Sequence, residues 1–273
     1  MTRLLALSST VRAPRLILLC EDRPGMGSLE DARVALLSRL IDHAPLFPPA
    51  SLDLADAVSE DLRARESAAS FMLARFVCPV SRLPELPDVG RGVSVVLDAP
   101  VPDDPRVEAV ETYPYFDPGS GIPRAPRVYV EVPVDESVDD RLDHLAEFGL
   151  SAKVRCGGAS VPDSGELAYF VRGCAERGLA FKATAGLHQA VRRNGAHGFL
   201  NLLAAVVFCE EESALEESDP DAFSLDREGF RWRDRLAAPG ELAHARRERF
   251  HSIGSCSFFE PVEELEALGI LPL

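Results

Sequence analysis

The chain has 273 residues, 46% of them hydrophobic, enough for one large core and a size that a single α/β barrel also reaches. Its net charge of −15, from 44 acidic and 29 basic residues, argues against a nucleic-acid binder, which needs a basic face for phosphates, and against attachment to an anionic membrane. Six cysteines without a C-x-x-C pair fit neither a zinc site nor a small disulfide framework, so reduced thiols in a cytoplasm are the simplest reading. No apolar run reaches the roughly 18 residues of a transmembrane helix. Arg12, Pro14 and Arg15 interrupt an N-terminus that is otherwise faintly like a signal peptide.

In chain order, residues 1–27 read as an appendage, with a strand-like run at 16–20 followed by the loop E-D-R-P-G-M-G. A helix is expected over 28–40, where Ser28 caps and Ala32, Val34, Leu36, Leu37 and Leu40 are helically spaced. A first strand is placed at 43–49, a helix over 52–69, a second strand at 72–79 and a third at 93–98. The fourth, at 106–112, follows too closely for a full helix between parallel strands. The fifth lies at 127–134, a helix at 137–148, the sixth strand at 150–156, and a helix at 163–177 that stops at Gly178. The seventh strand falls within L-A-F-K-A-T-A-G-L-H, residues 179–188, and a helix follows at 197–209. Residues 210–239 look like an acidic, irregular insertion. A helix at 241–248, an eighth strand at 249–255 and a last helix at 261–268 complete the chain. Strands alternating with helices imply a parallel sheet, and eight of them fit a (β/α)8 barrel over 28–273, irregular in its N-terminal half. Neither G-x-G-x-x-G nor G-x-x-x-x-G-K-[ST] is present, which weakens the nucleotide-binding open sheets.

Barrel active sites form at the C-terminal ends of the strands. Asp98, Glu111 and Glu131 fall there on the third, fourth and fifth strands, Lys153 and Arg155 on the sixth, and Lys182 and Thr184 on the seventh, with His188 just beyond. Period-two alternation puts Tyr129 with Glu131 and Lys153 with Arg155 on one face, and leaves Val128, Val130, Val132, Val154, Phe181 and Ala183 for the helices. A lysine inside an apolar strand is costly unless paired or deprotonated, so Lys182 is either chemistry or one end of a structural network with Glu111 or Glu131. Two neighbouring lysines suit Schiff-base formation, because one cation eases deprotonation of the other. Asp98, Glu111 and Glu131 would instead suit Mg²⁺ with a lysine base. Arg155, Gly157, Gly158, Thr184, Gly186, Gly254 and Ser255 at strand ends form a candidate anion site, and His197 and Asn201 reach towards it from the next helix. Cys156 and Cys256, with no evident histidine partner, read as packing residues. The expected ligand is a small anionic metabolite, and the features leave room for a homo-oligomer.

The positions of Lys153, Lys182 and Asp98 resemble the class I aldolases of the deoxyribose-phosphate type, which place a Schiff-base lysine on the sixth barrel strand, a second lysine on the seventh and an aspartate on the third. That resemblance implies lyase chemistry without a cofactor. The chain departs from it where V-R-C-G-G stands in place of a threonine- and serine-rich stretch. The three carboxylates look like the enolase superfamily, which implies Mg²⁺ and enolisation, but its N-terminal capping domain and second-strand K-x-K are not visible. Over residues 45–273, K-V-R-C-G-G, F-K-A-T-A-G-L-H and H-G-F-L-N-L-L resemble a bacterial group of barrel-like proteins with no assigned activity. Its members often read L-H-H where this chain has Leu187-His188-Gln189, so a second histidine is not essential here. A ligand-binding or scaffold barrel without catalysis is the third alternative.

Overall fold

Strands whose side chains alternate between polar and apolar can close on themselves, one face inward and the other under helices. The computed structural model describes residues 31–114, 116–158 and 161–273, so the expected appendage at 1–27 lies outside the described residues. Eight parallel strands form a closed barrel: β1 (Ile41–His43), β2 (Leu73–Pro79), β3 (Val93–Val96), β4 (Val107–Glu111), β5 (Arg127–Glu131), β6 (Ser151–Arg155), β7 (Phe181–Thr184) and β11 (Phe250–Ser255), which closes back onto β1. Seven of these lie inside the runs expected for them. The first does not: it lies at 41–43 rather than 43–49. Pro45, Pro48 and Pro49 lack the N–H that a ladder needs, whereas residues 41–43 pair with both β11 and β2.

Helices α2 (Leu54–Glu66), α3 (Val138–Phe148), α4 (Ser164–Glu176), α5 (Phe199–Phe208) and α8 (Phe259–Ala267) follow β1, β5, β6, β7 and β11. Two more, α1 (Ala32–Leu37) and α7 (Pro239–Glu248), precede β1 and β11. Local chemistry explains their ends. Asp163 and Glu166 close a capping box on α4, satisfying backbone N–H groups that have no helical partner. Gly149 ends α3 at φ +64°, a left-handed turn that glycine adopts without a Cβ clash. From β2 to β5 the described connections carry only 3-10 turns, at Val80–Glu85 and Pro118–Ser120, which is the irregular N-terminal half that the spacing implied. No helix among the described residues is long and apolar enough to cross a membrane.

The stretch at 210–239 is more ordered than expected. It holds α6 (Glu211–Glu216) and an antiparallel sheet of β8 (Phe223–Leu225), β9 (Phe230–Trp232) and β10 (Arg235–Ala237). Phe230 and Trp232 share one face of β9, are buried, and lie with ring centroids 5.7 and 6.1 Å from Phe208. Strands of three residues are too short for their alternation to stand out from an acidic background.

The outward barrel residues Val128, Val130, Val154, Phe181 and Ala183 are buried, as expected of contact with the helix layer. Phe181 meets Phe170 of α4 at 5.3 Å and Phe250 of β11 at 5.1 Å between centroids. At the top of the wall the loops after β6 and β7 cross. A Cβ on Gly157 would lie 2.7 Å from the Gly186 nitrogen, and a Cβ on Gly186, at φ +69°, would lie 2.4 Å from the Cys156 carbonyl oxygen. Neither backbone has room to retreat. Gly186→Ala is therefore expected to cost about 3 kcal/mol or more in chemical denaturation, combining strain and clash. Gly149→Ala, at a similar φ but facing open space, should cost only about 1 kcal/mol.

Candidate active site

Inside the barrel the inward face of nearly every strand is polar. The ladder sets Lys153 beside Lys182, Glu131 beside Lys153, and Glu111 beside Tyr129. Lys182 Nζ donates to Asp42 Oδ2 and to Glu111 Oε1, each at 2.6 Å, and none of its surface meets solvent. Asp42 also accepts from Ser252 Oγ at 2.6 Å, and Arg75 lies 3.3 Å from its other oxygen. Ser94 Oγ donates to Glu111 Oε1 at 2.8 Å. The Lys182 ammonium also sits 5.4 Å from the centroid of the Tyr129 ring.

Burial by itself would strip the proton from Lys182, but the Asp42 and Glu111 carboxylates outweigh it and hold the ammonium above its ordinary range. The same contacts act in reverse on the acids. Burial opposes the charge on Asp42, yet Lys182 and Arg75 hold its carboxyl well below the usual range. Glu111 is held down likewise, by Lys182 and Lys153 against its burial. Lys182 is thus a fixed cation.

Lys153 is placed differently. It is 5% exposed, nearer the C-terminal mouth, and its Nζ lies 3.1 Å from Glu131, 3.8 Å from Glu111 and 2.9 Å from the Thr112 carbonyl, to which it donates. Glu131 and Arg155 line a cleft of about 300 Å³ at this rim, walled by Val132, Val134, Val161 and Pro162. Arg155 is exposed and makes no hydrogen bond or ion pair with a described residue. Its guanidinium lies over Gly158.

The structure therefore brings Lys153, Lys182, Glu111 and Glu131 together, as the alternation implied, and leaves Asp98 out. Asp98 lies past the end of β3, exposed, and accepts from Ser81 N at 2.9 Å and Ser81 Oγ at 2.5 Å. The alternation was extended two residues beyond the strand that carries it. The carboxylate triad drawn for Mg²⁺ is not assembled, and among the described residues no group of three His, Cys, Asp or Glu side chains is arranged to hold a metal ion.

Several expected anion ligands are already committed. Asn201 donates to the Ala214 and Glu217 carbonyls at 2.7 Å and accepts from Arg192 N at 2.8 Å, so it pins the insertion instead of reaching the mouth. Gly157 and Gly186 face each other's loops, as described above, and leave no open backbone cradle. Gly254 faces Thr184, whose methyl group would lie 3.0 Å from an added Cβ. Ser255 Oγ donates to Ser257 O at 2.6 Å, and Thr184 Oγ1 makes only a long bond, 3.4 Å, to Val154 O. His197 is buried with Nε2 2.8 Å from the Pro162 carbonyl, and burial lowers its pKa. Of the anion set, Arg155 and Gly158 remain at the mouth.

His188 is half-buried on the loop after β7, 2.6 Å from Glu260 Oε2 of α8. Its pKa is raised, first by a hydrogen bond to Cys256 and then by Glu260. Cys256, buried, thus stands close to His188, a neighbour that their separation in the chain concealed. Cys156 fits the packing reading, its thiol pushed up to about 12 by burial.

Sequence reasoning missed Asp42, Arg75, Ser94, Ser252 and His251. Asp42 stands in L-I-D-H, where the prolines that follow drew the strand downstream. Ser94 was legible, as the one polar residue in V-S-V-V. Near the barrel floor, His251 lies 3.0 Å from the Tyr129 hydroxyl and 2.6 Å from an Arg127 nitrogen. Burial, then the Arg127, Arg246 and Arg75 cations, lower its pKa to about 3. In the wall beside β1, buried His43 lies 2.9 Å from Asp61, which also binds Arg91, and 3.3 Å from Glu60; these acids outweigh its burial and raise its pKa.

Fold and site together define a (β/α)8 barrel whose axis is filled by an ionic network. No family model matches the chain, and no curated protein matches it.

Asp42 and Glu111 bind protons less readily folded than unfolded, so unfolding takes protons up and stability falls as the pH drops below about 4. His251 acts in the same direction below about pH 6.5, whereas the stabilisation through His43 is present below about 6.5 and is lost as the pH rises through its raised value. Lys182→Met leaves two buried carboxylates facing one another. At pH 7 it is expected to cost about 3–5 kcal/mol in urea denaturation. The deficit should shrink towards pH 4, where the variant's carboxyls take up protons that the wild type refuses.

Proposed function

We propose that this protein is an enzyme acting on a small anionic carbonyl compound, aldolase-like, through the amine of Lys153. One observation carries the reading: Lys153 is held between Glu131 and Glu111, and Glu131 itself lines a cleft together with the uncommitted Arg155. The two lysines divide the work. Lys182 cannot readily lose its proton while Asp42 and Glu111 flank it, so it serves as a fixed cation that keeps Glu111 charged and in place. Lys153 has a proton acceptor at hand in Glu131. Once that proton is transferred, the neutral amine attacks the substrate carbonyl carbon, and loss of water from the resulting carbinolamine leaves an iminium. The iminium withdraws the electron pair of the adjacent carbon–carbon bond as it breaks, or of a C–H bond whose proton passes to a carboxylate. Arg155, with its planar fork of donors, suits the carboxylate or phosphate of the substrate.

His188, backed by Glu260, is the acid or base at the rim. The five described cysteines are free thiols, four of them buried, which suits a reducing compartment such as the cytoplasm. Metal-assisted enolisation loses support because Asp98 stands apart from Glu111 and Glu131.

Borohydride reduction in the presence of small aldehydes, 2-oxo acids and phosphorylated carbonyl compounds, followed by peptide mass spectrometry, tests the reading. A reduced adduct is expected on Lys153 and none on Lys182. It should disappear in Lys153→Met, and Arg155→Met should raise the concentration of anionic carbonyl needed for half-maximal trapping about tenfold. No adduct with any compound would remove the amine chemistry.

A further inference from the structure

The cleft at the other end of the barrel is larger. It holds about 670 Å³ and is lined by Arg39, Arg75, Arg127, Arg246, Arg247 and His251, with Val34, Ala35 and Ala243 as its apolar wall. Five guanidiniums around one opening are unexpected in a chain of net charge −15. This is also the N-terminal face of the strands, where a barrel is ordinarily built for stability.

The opposing charges do not cancel them. Glu108 is shared by Arg39 at 2.9 Å and Arg75 at 3.3 Å. Arg75 also reaches Asp42, which is already claimed by Lys182. Arg247 pairs with Glu248 at 2.6 Å. Arg127 and Arg246 have no carboxylate within ion-pair distance among the described residues. Arg246 spends its donors on the carbonyls of Leu36, Ser38, Arg39, Phe250 and His251, which satisfy its hydrogen bonds without an ion pair, and only Asp42, farther off, acts on its charge. Burial pulls its pKa down only to about 10, so it stays charged at neutral pH. Arg127 donates to the ring of His251, a neutral acceptor that contributes no counter-charge. The result is two half-buried guanidiniums at the cleft wall, neither of them in an ion pair among the described residues.

We propose that this cleft is a second ligand site, separate from the C-terminal mouth, that binds a small molecule bearing a phosphate-type dianion, with Arg127 as its direct ligand and Arg246 as the fixed charge behind it. The volume lies within the range of small-molecule sites, and the guanidinium fork matches a tetrahedral oxyanion. His251 is the natural reporter. Its low pKa reflects burial and the surrounding cations, so a bound dianion must raise it.

The full-length protein would be titrated with inorganic phosphate and then pyrophosphate at ionic strength held constant with chloride. Binding is followed by calorimetry and by NMR of the His251 ring nitrogens. Saturable binding is expected, together with a shift of the His251 resonances and at least tenfold weaker binding in Arg127→Met. If Arg127→Met does not fold, the His251 shift in the unaltered protein decides. The proposal is overturned by the absence of saturable binding at constant ionic strength, by phosphate that leaves His251 unmoved, or by binding that survives Arg127→Met and is lost in Arg155→Met. The last result would assign the phosphate to the C-terminal mouth instead.

Discussion

The two 2.6 Å contacts from Lys182 to Asp42 and Glu111 hold the rest of the barrel axis in place. A buried ammonium and two buried carboxylates are each expensive to desolvate, and together they are tolerable only with close geometry and extra hydrogen bonds. Ser94 and Ser252 supply those bonds. The clamp joins β7 to β1 and β4 across the barrel, and orders what lies above and below it. Glu111, made permanently anionic, faces Lys153 on the mouth side; Tyr129, under Lys182, hands on to His251 and Arg127 on the floor side. Charge alternates along the axis, and each group's protonation depends on its neighbours.

That arrangement explains which parts of the molecule were legible in the sequence. Strand alternation is a local property, and where an apolar outward face runs against a polar inward one, as in R-V-Y-V-E and S-A-K-V-R, period two reveals both the strand and its inward charges. Lys153, Lys182, Glu111 and Glu131 were therefore found. Asp98 failed because alternation does not announce where a strand stops, and a carboxylate one turn past the ladder finds a different partner, here Ser81. Asp42 escaped because β1 has three residues, too few for a pattern, and three prolines nearby distracted from it. The pairings of His188 with Glu260, and of Arg127 with His251, join residues far apart in the chain and leave no trace in spacing.

The two ends of the axis are unlike. At the C-terminal mouth the free cation is an exposed arginine beside an acid-lined cleft, with a lysine just beneath. At the floor two half-buried arginines have only neutral hydrogen-bond partners. The first offers an available side chain, the second a positive field that the carboxylates near it offset only in part.

The crossing of Gly157 and Gly186 bears on how such a barrel can diverge. Because each backbone fills the space above the other, neither glycine can take a side chain without dislodging its neighbour. Gly157 and Gly186 are thereby tied to one another, and a side chain at either position would displace the backbone it faces. The opposite wall has more latitude, since the described parts of the connections after β3 and β4 carry no α-helix. In such a lineage the charged axis would be inherited with little change, while the rim over β3 to β5 would carry the differences.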